Sequence, residues 1–169
     1  MKTNYDGAMF RESNEAGIGV VIWNSEDKVL AAISEKIVKP PTVEVLELLA
    51  ARRAVSFTAE SGFTNFIYEG DFDSAVQSIR SKGMENSQGM HLIKDIQSHV
   101  NSFQSISFSH VVRQDNAATH ALIQKAKLYF PLLIWLKSVP PDILSFILFD
   151  FSNSWIILQH VLLSQKNKK

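Results

Sequence analysis

The sequence predicts an α/β domain: a mixed five-stranded sheet, three antiparallel strands followed by helix-linked strands, with helices packed on it. Two β-branched apolar runs near the start are separated by a short polar turn, which reads as a hairpin. After Pro40-Pro41, helical and strand patterns alternate to about residue 128. The 169 residues, 46% hydrophobic and 20% charged, suffice for one such domain and a tail.

The first strand is the short extended stretch "TNYDGA", residues 3–8, ending near Gly7. The hairpin follows as "GIGVVIW" (17–23) and "KVLAAISEKI" (28–37), joined by Asn24-Ser25-Glu26-Asp27. Proline cannot donate to a strand ladder, so the third strand stops before Pro40. A long helix then starts from Thr42 as N-cap, with Val43, Leu46, Leu49 and Ala50 as its apolar stripe and Gly62 at its C′ position. "TNFIYEG" (64–70) is the fourth strand, and "DFDSAVQSIRSKG" (71–83) is a short helix with acids at its start. A further amphipathic helix covers 89–100. In "SISFSH" (105–110) the apolar and serine positions alternate as in a half-buried strand. The last helix starts at about Asp115. Beyond residue 130 no cap and no clean period is found. The expected organisation is therefore a domain over 1–130 and a C-terminal extension over 131–169, irregular at its lysine-rich end.

Composition excludes several chemistries. The absence of cysteine removes disulfides, thiolate metal sites and cysteine nucleophiles. A formal net charge of zero means that any polyanion must be met by local basic patches. Arg52-Arg53, Lys36 with Lys39, and Lys125 with Lys127 are the candidates. "MKTNYDGAMF" lacks the apolar centre of a signal peptide. The apolar runs "LLIWL", "ILSFILF" and "WIILQHVLL" are each far short of the roughly 20 residues of a membrane span. The expectation is a monomer, cytoplasmic or nuclear, without a membrane partner.

Three acids occupy unusual positions. Asp6 falls inside a strand, where charge is depleted. Glu47 interrupts the apolar helix stretch "VLELLAARRA", and Asp71 stands at the C-terminal end of the fourth strand, where ligands of α/β sheets gather. Glu47 on a wet helix face and Asp71 as a helix cap are the plainer alternatives. Brought together, three carboxylates repel one another and take up protons unless a hard cation neutralises them. Mg²⁺ prefers such oxygen ligands, and a carboxylate pair-of-ions site suits phosphodiester hydrolysis.

The motifs "NYDGA", "ELLAARRA", "EGDFDSA" and "RQDNAATHAL", in this order and spacing, resemble the ribonuclease H-like superfamily. Among its members they look most like the plant reverse-transcriptase-type ribonuclease H domain of LINE-like (non-LTR) retrotransposons. Each motif is weak alone; the four together are specific, and the resemblance spans about residues 2–142. It implies the ribonuclease H-like fold, with Asp6, Glu47 and Asp71 as catalytic metal ligands. Archetypal members carry a further aspartate four residues after an asparagine in the last helix. Here that position, four after Asn116, is His120, which the resemblance makes the fourth candidate ligand. A partly buried histidine held by local hydrogen bonds is the alternative. The resemblance further implies two Mg²⁺ (or Mn²⁺) ions and a nucleic-acid partner, an RNA–DNA hybrid whose RNA strand is hydrolysed. Two family features are missing. "HVVRQDN" leaves no room for the histidine loop before the last helix, and no lysine- and tryptophan-rich handle lies between residues 80 and 100. These departures, with zero net charge, keep open a domain that binds nucleic acid or protein without cutting. A third reading makes the apolar C-terminal segment a protein contact surface.

Overall fold

The computed structural model describes residues 1–60, 64–81, 89–100, 103–128 and 131–148. Strands β1 (Lys2–Met9), β2 (Glu15–Trp23) and β3 (Val29–Val38) form an antiparallel meander. Helix α1 (Val43–Ala59) follows, then β4 (Asn65–Gly70), α2 (Asp73–Arg80), α3 (Met90–Val100) and β5 (Ser105–His110). A 3₁₀ turn, Arg113–Asn116, leads into α4 (Ala117–Leu128), and β6 (Leu132–Leu136) comes after it. The strand order is β5-β4-β1-β2-β3-β6, with β1–β4 and β4–β5 parallel and every other pair antiparallel.

The mixed sheet is thus as expected, but it has six strands among the described residues, not five. The sixth is "LLIWL", in the stretch where no period was found. Five consecutive apolar residues show no alternation, so periodicity cannot separate a strand from a helix there. Pairing with β3 supplies what the pattern lacks: Ile33 faces Ile134, and Leu132, Ile134 and Leu136 remain exposed at the sheet edge.

Local signals account for most boundaries. The Asn24 side chain accepts from the backbone N–H of Glu26 (2.9 Å) and Lys28 (2.8 Å), closing the β2–β3 turn, and Asp27 takes a positive φ of 55°. Thr42 caps α1 by accepting from Val45 N–H. Gly62 and Gly83, expected to end two helices, lie outside the described residues, as does the lysine-rich end of the chain. β1 extends to Met9, two residues past Gly7.

The sheet separates two layers of side chains. Along β2, Val20 and Ile22 join the core beneath α1 and α3, while Val21 and Trp23 join the core beneath α4. Helix α1 is enclosed by β1 on one side and α3 on another, so its buried positions (Leu46, Glu47, Leu48, Ala50, Ala51, Ala54, Val55 and Thr58) exceed one stripe. Burying Leu46 and Leu48 contributes about 2 kcal/mol each. Val43, expected in that stripe, is exposed. Among the described residues no helix is long and apolar enough to cross a membrane.

Candidate metal centre

Parallel pairing of β1 and β4 puts two acids side by side. Asn4 is in register with Glu69; two residues further on, Asp6 lies in β1 and Asp71 just past the end of β4. The third acid comes from α1, which crosses β1 at Gly7. A Cβ there would lie 2.7 Å from Leu46 Cγ, so glycine is what lets the helix come this close. Glu47 follows Leu46, and the nearby Gly7 backbone N–H favours the ionised form of its carboxylate. One carboxylate oxygen from each of Asp6, Glu47 and Asp71 lies within 4.8 Å of the others.

The cluster is poorly compensated by protein groups. Asp6 and Glu47 are buried, 5% and 3% exposed, and Glu47 Oε2 has no hydrogen-bond partner. Burial first, then the charges of Asp6 and Asp71, push the Glu47 carboxyl up to about 9. Burial and the charge of Asp6 likewise raise Asp71, against the opposing pull of Arg113. An all-oxygen donor set with one buried oxygen unused fits a hard divalent cation. The plainer alternatives are excluded by position. Glu47 is not on a wet face, and the residue capping α2 is Phe72, which makes no side-chain cap bond, not Asp71.

Helix α4 brings the fourth candidate. Asn116 Nδ2 donates to the Tyr5 carbonyl at 2.9 Å, pinning the start of the helix beside Asp6. Four residues on, His120 Nδ1 lies 3.3 Å from Asp6 Oδ2. The His120 side chain is 35% exposed, so it is not a core filler; it stands at the rim of the cluster.

Arg113 was not singled out from the sequence. Its Nη2 lies 3.3 Å from His120 Nδ1 and 3.5 Å from Nε2. Near-equal approach to both ring nitrogens holds the guanidinium directly against the imidazole, with its N–H groups turned toward the ring. No sequence signal marks it, because it stands in the polar 3₁₀ turn ahead of α4, outside the α-helical register of His120. His110 also comes near, with Nε2 3.3 Å from the Asp71 carbonyl oxygen, and only two residues separate β5 from the 3₁₀ turn, too few for a histidine loop.

The expected basic patches are largely neutralised. Arg52 pairs with Asp95, Arg53 with Glu35, Lys36 with Glu15, Lys125 with Asp142 and Lys127 with Glu12.

Residues 4–126 match the family model described as reverse transcriptase-like. Among solved structures, the chain is similar to ribonuclease H1 from the halophilic archaeon Halobacterium salinarum, with a TM-score of 0.69 and 21% identity over 75% of this chain and 96% of that one. It is also similar to LC11 ribonuclease H1 in complex with an RNA/DNA hybrid, with a TM-score of 0.64 and 22% identity over 75% and 98%. The third is the foamy viral protease-reverse transcriptase in complex with an RNA/DNA hybrid (TM-score 0.64, 17% identity), where 75% of this chain matches 20% of that one. Likeness at these identities establishes the ribonuclease H-like fold. No curated protein matches the chain.

Proposed function

The chain belongs to the reverse transcriptase-like family, and from that premise we propose that it is a divalent-metal-dependent endonuclease that hydrolyses the RNA strand of RNA–DNA hybrids. The observation that carries the reading is the convergence of Asp6, Glu47 and Asp71 within 4.8 Å, with a buried Glu47 oxygen left without a partner. These three side chains, with His120 at the rim, would hold Mg²⁺ or Mn²⁺ as a pair of ions. When bound, such ions supply a water of lowered pKa and neutralise the charge that develops on the phosphate and the leaving oxygen.

The protein's own groups do the positioning. The Gly7 N–H favours the ionised Glu47 carboxylate, whose Oε2 is left for a ligand. Asn116 fixes α4 to β1, which keeps His120 at Asp6. Histidine in place of a fourth carboxylate removes one negative charge, so a second ion binds more weakly than it would to four acids. Hybrid recognition would rest on minor-groove shape and 2′-hydroxyl contacts without reading sequence. A retrotransposon origin and a cytoplasmic or nuclear location belong to the same proposal.

Ion pairing of the basic patches weakens the grip on a hybrid that cleavage needs, which leaves a second reading, a domain that binds nucleic acid or protein without cutting. One assay separates the two: cleavage of a hybrid labelled on its RNA strand, with Mg²⁺, with Mn²⁺ and with chelator. Cleavage that needs the cation and disappears in Asp6→Asn and Asp71→Asn supports the nuclease. Hybrid binding without cleavage supports the second reading, and equal cleavage by both variants refutes the metal-site assignment.

A further inference from the structure

The side of the carboxylate cluster facing α4 already carries a cation of the protein's own. The Arg113 guanidinium lies within 3.3 and 3.5 Å of the two ring nitrogens of His120, whose Nδ1 is in turn 3.3 Å from Asp6 Oδ2. Among the described residues Arg113 makes no ion pair with a carboxylate within 4 Å, whereas Arg52 and Arg53 each do. Its charge nevertheless reaches the cluster, where it opposes the rise in the carboxyl pKa of both Glu47 and Asp71. We propose that Arg113 is the cluster's resident counter-cation, held against the ring nitrogens of His120, so that the site loads one divalent ion readily and a second only when the guanidinium swings away.

Charge counting makes the argument concrete. Asp6, Glu47 and Asp71, fully ionised, carry three negative charges, and His120 adds none when neutral. With the guanidinium in place the net charge is minus two, which one divalent ion cancels. Without it, one divalent ion leaves a residual negative charge that attracts a second. Geometry points the same way. A second ion ligated by His120 must approach a ring nitrogen, and Nη2 of Arg113 stands within 3.5 Å of both. Arg113 is itself exposed, so the long side chain can leave without unpacking the core.

This inference rests on the carboxylate cluster being a cation site, and the test separates the two. The probe is Mn²⁺, titrated into the metal-free full chain, with free Mn²⁺ counted by electron paramagnetic resonance, so the readout is stoichiometry and affinity rather than activity. Wild type is expected to bind one ion well and a second much more weakly. Arg113→Gln should tighten the second ion by on the order of tenfold, as removal of one unit charge beside a partly exposed divalent site implies. Arg113→Lys, which keeps the charge, should stay near wild type. Two ions of similar affinity in wild type, an unchanged second affinity in R113Q, or an R113K variant that behaves like R113Q each overturn the counter-cation. Because the first of these is read on wild type, the proposal stays falsifiable if a variant folds poorly. Failure of wild type and R113Q alike to bind any Mn²⁺ sinks both the counter-cation and the metal site beneath it.

Discussion

Asp6 stands opposite Gly19 in the β1–β2 ladder, and Gly19 is where α4 touches the sheet. A Cβ at Gly19 would overlap the carbonyl oxygen of Thr119, the residue before His120. This bare strand position, with Gly17 two residues before it against Ile123, lets the helix come near the acid across from it. Gly7, next along β1, does the same for α1 and Glu47. Two glycines on neighbouring strands let helices from different layers deliver side chains to one point.

Gly19→Ala should consequently act on stability and on the site together. The added methyl group meets backbone, which cannot rotate away as a side chain can, so α4 must shift outward. Overpacking of this kind costs about 1–3 kcal/mol. Thermal melting should register that loss, and Mg²⁺ titration should show weaker binding because His120 moves with the helix. A Tm and a Mg²⁺ affinity both equal to wild type would show that the close approach does not set the site.

Asn116 offers a sharper comparison. Its Nδ2 donates to the buried Tyr5 carbonyl, while its Oδ1 is buried without a partner. Asn116→Ala removes the donor and strands the carbonyl, costing about 1–3 kcal/mol. Asn116→Asp is expected to be worse, since it sets an acceptor against an acceptor beside a cluster that is already acidic. Denaturant melts of the two variants should rank aspartate below alanine; the reverse order would mean that the amide does not hold the helix.

The Glu47 carboxyl makes stability depend on pH in a direction opposite to an ordinary salt-bridged acid. Its folded value, about 9, lies above its usual value of 4.5, so between these limits the folded state holds a proton that the unfolded chain has released. In metal-free protein the associated stability is full below about pH 4.5 and is lost as pH rises through about 9. Asp71 is raised too and adds to the same slope. Glu47→Gln should flatten most of this dependence, and millimolar Mg²⁺ should suppress it in wild type by favouring the ionised cluster. Melting curves between pH 5 and pH 9, with and without Mg²⁺, are the measurement. Stability that rises with pH over that window in metal-free wild type would contradict the assigned environment.

What could be read in advance follows from where the signal resides. The β2–β3 hairpin is legible because β-branched runs flank a polar turn, and Glu47 because an acid breaks an apolar helix stretch. The breadth of the buried surface on α1 was not legible, since it depends on α3 covering a second side. β6 was missed because its strand character comes from pairing with β3, a partner roughly a hundred residues away. Arg113 was missed for a related reason. It sits in a polar stretch that reads as a turn, and only the fold reveals that its side chain reaches His120.

His120 itself is the residue on which family pattern and present geometry can be set against each other. Replacing it with aspartate restores the carboxylate of the archetypal ribonuclease H pattern at the rim of the cluster, beside Asp6. In metal-free protein the new charge repels Asp6, and a loss of about 1 kcal/mol is expected because the position is partly exposed. In Mg²⁺ the order should invert, since a carboxylate adds attraction where a second ion would bind; a tenfold gain in affinity adds about 1.4 kcal/mol at saturating ion. Arg113 also faces that carboxylate and would pair with part of its charge, so the gain should be larger in the R113Q background. His120→Ala should do the reverse, weakening the second ion while leaving the three-acid cluster able to hold one. Mg²⁺ titration combined with thermal melting on these variants reads each term separately. Unchanged Mg²⁺ affinity in H120D and H120A, together with a lowered Tm, would make His120 a packing residue and remove it from the metal centre.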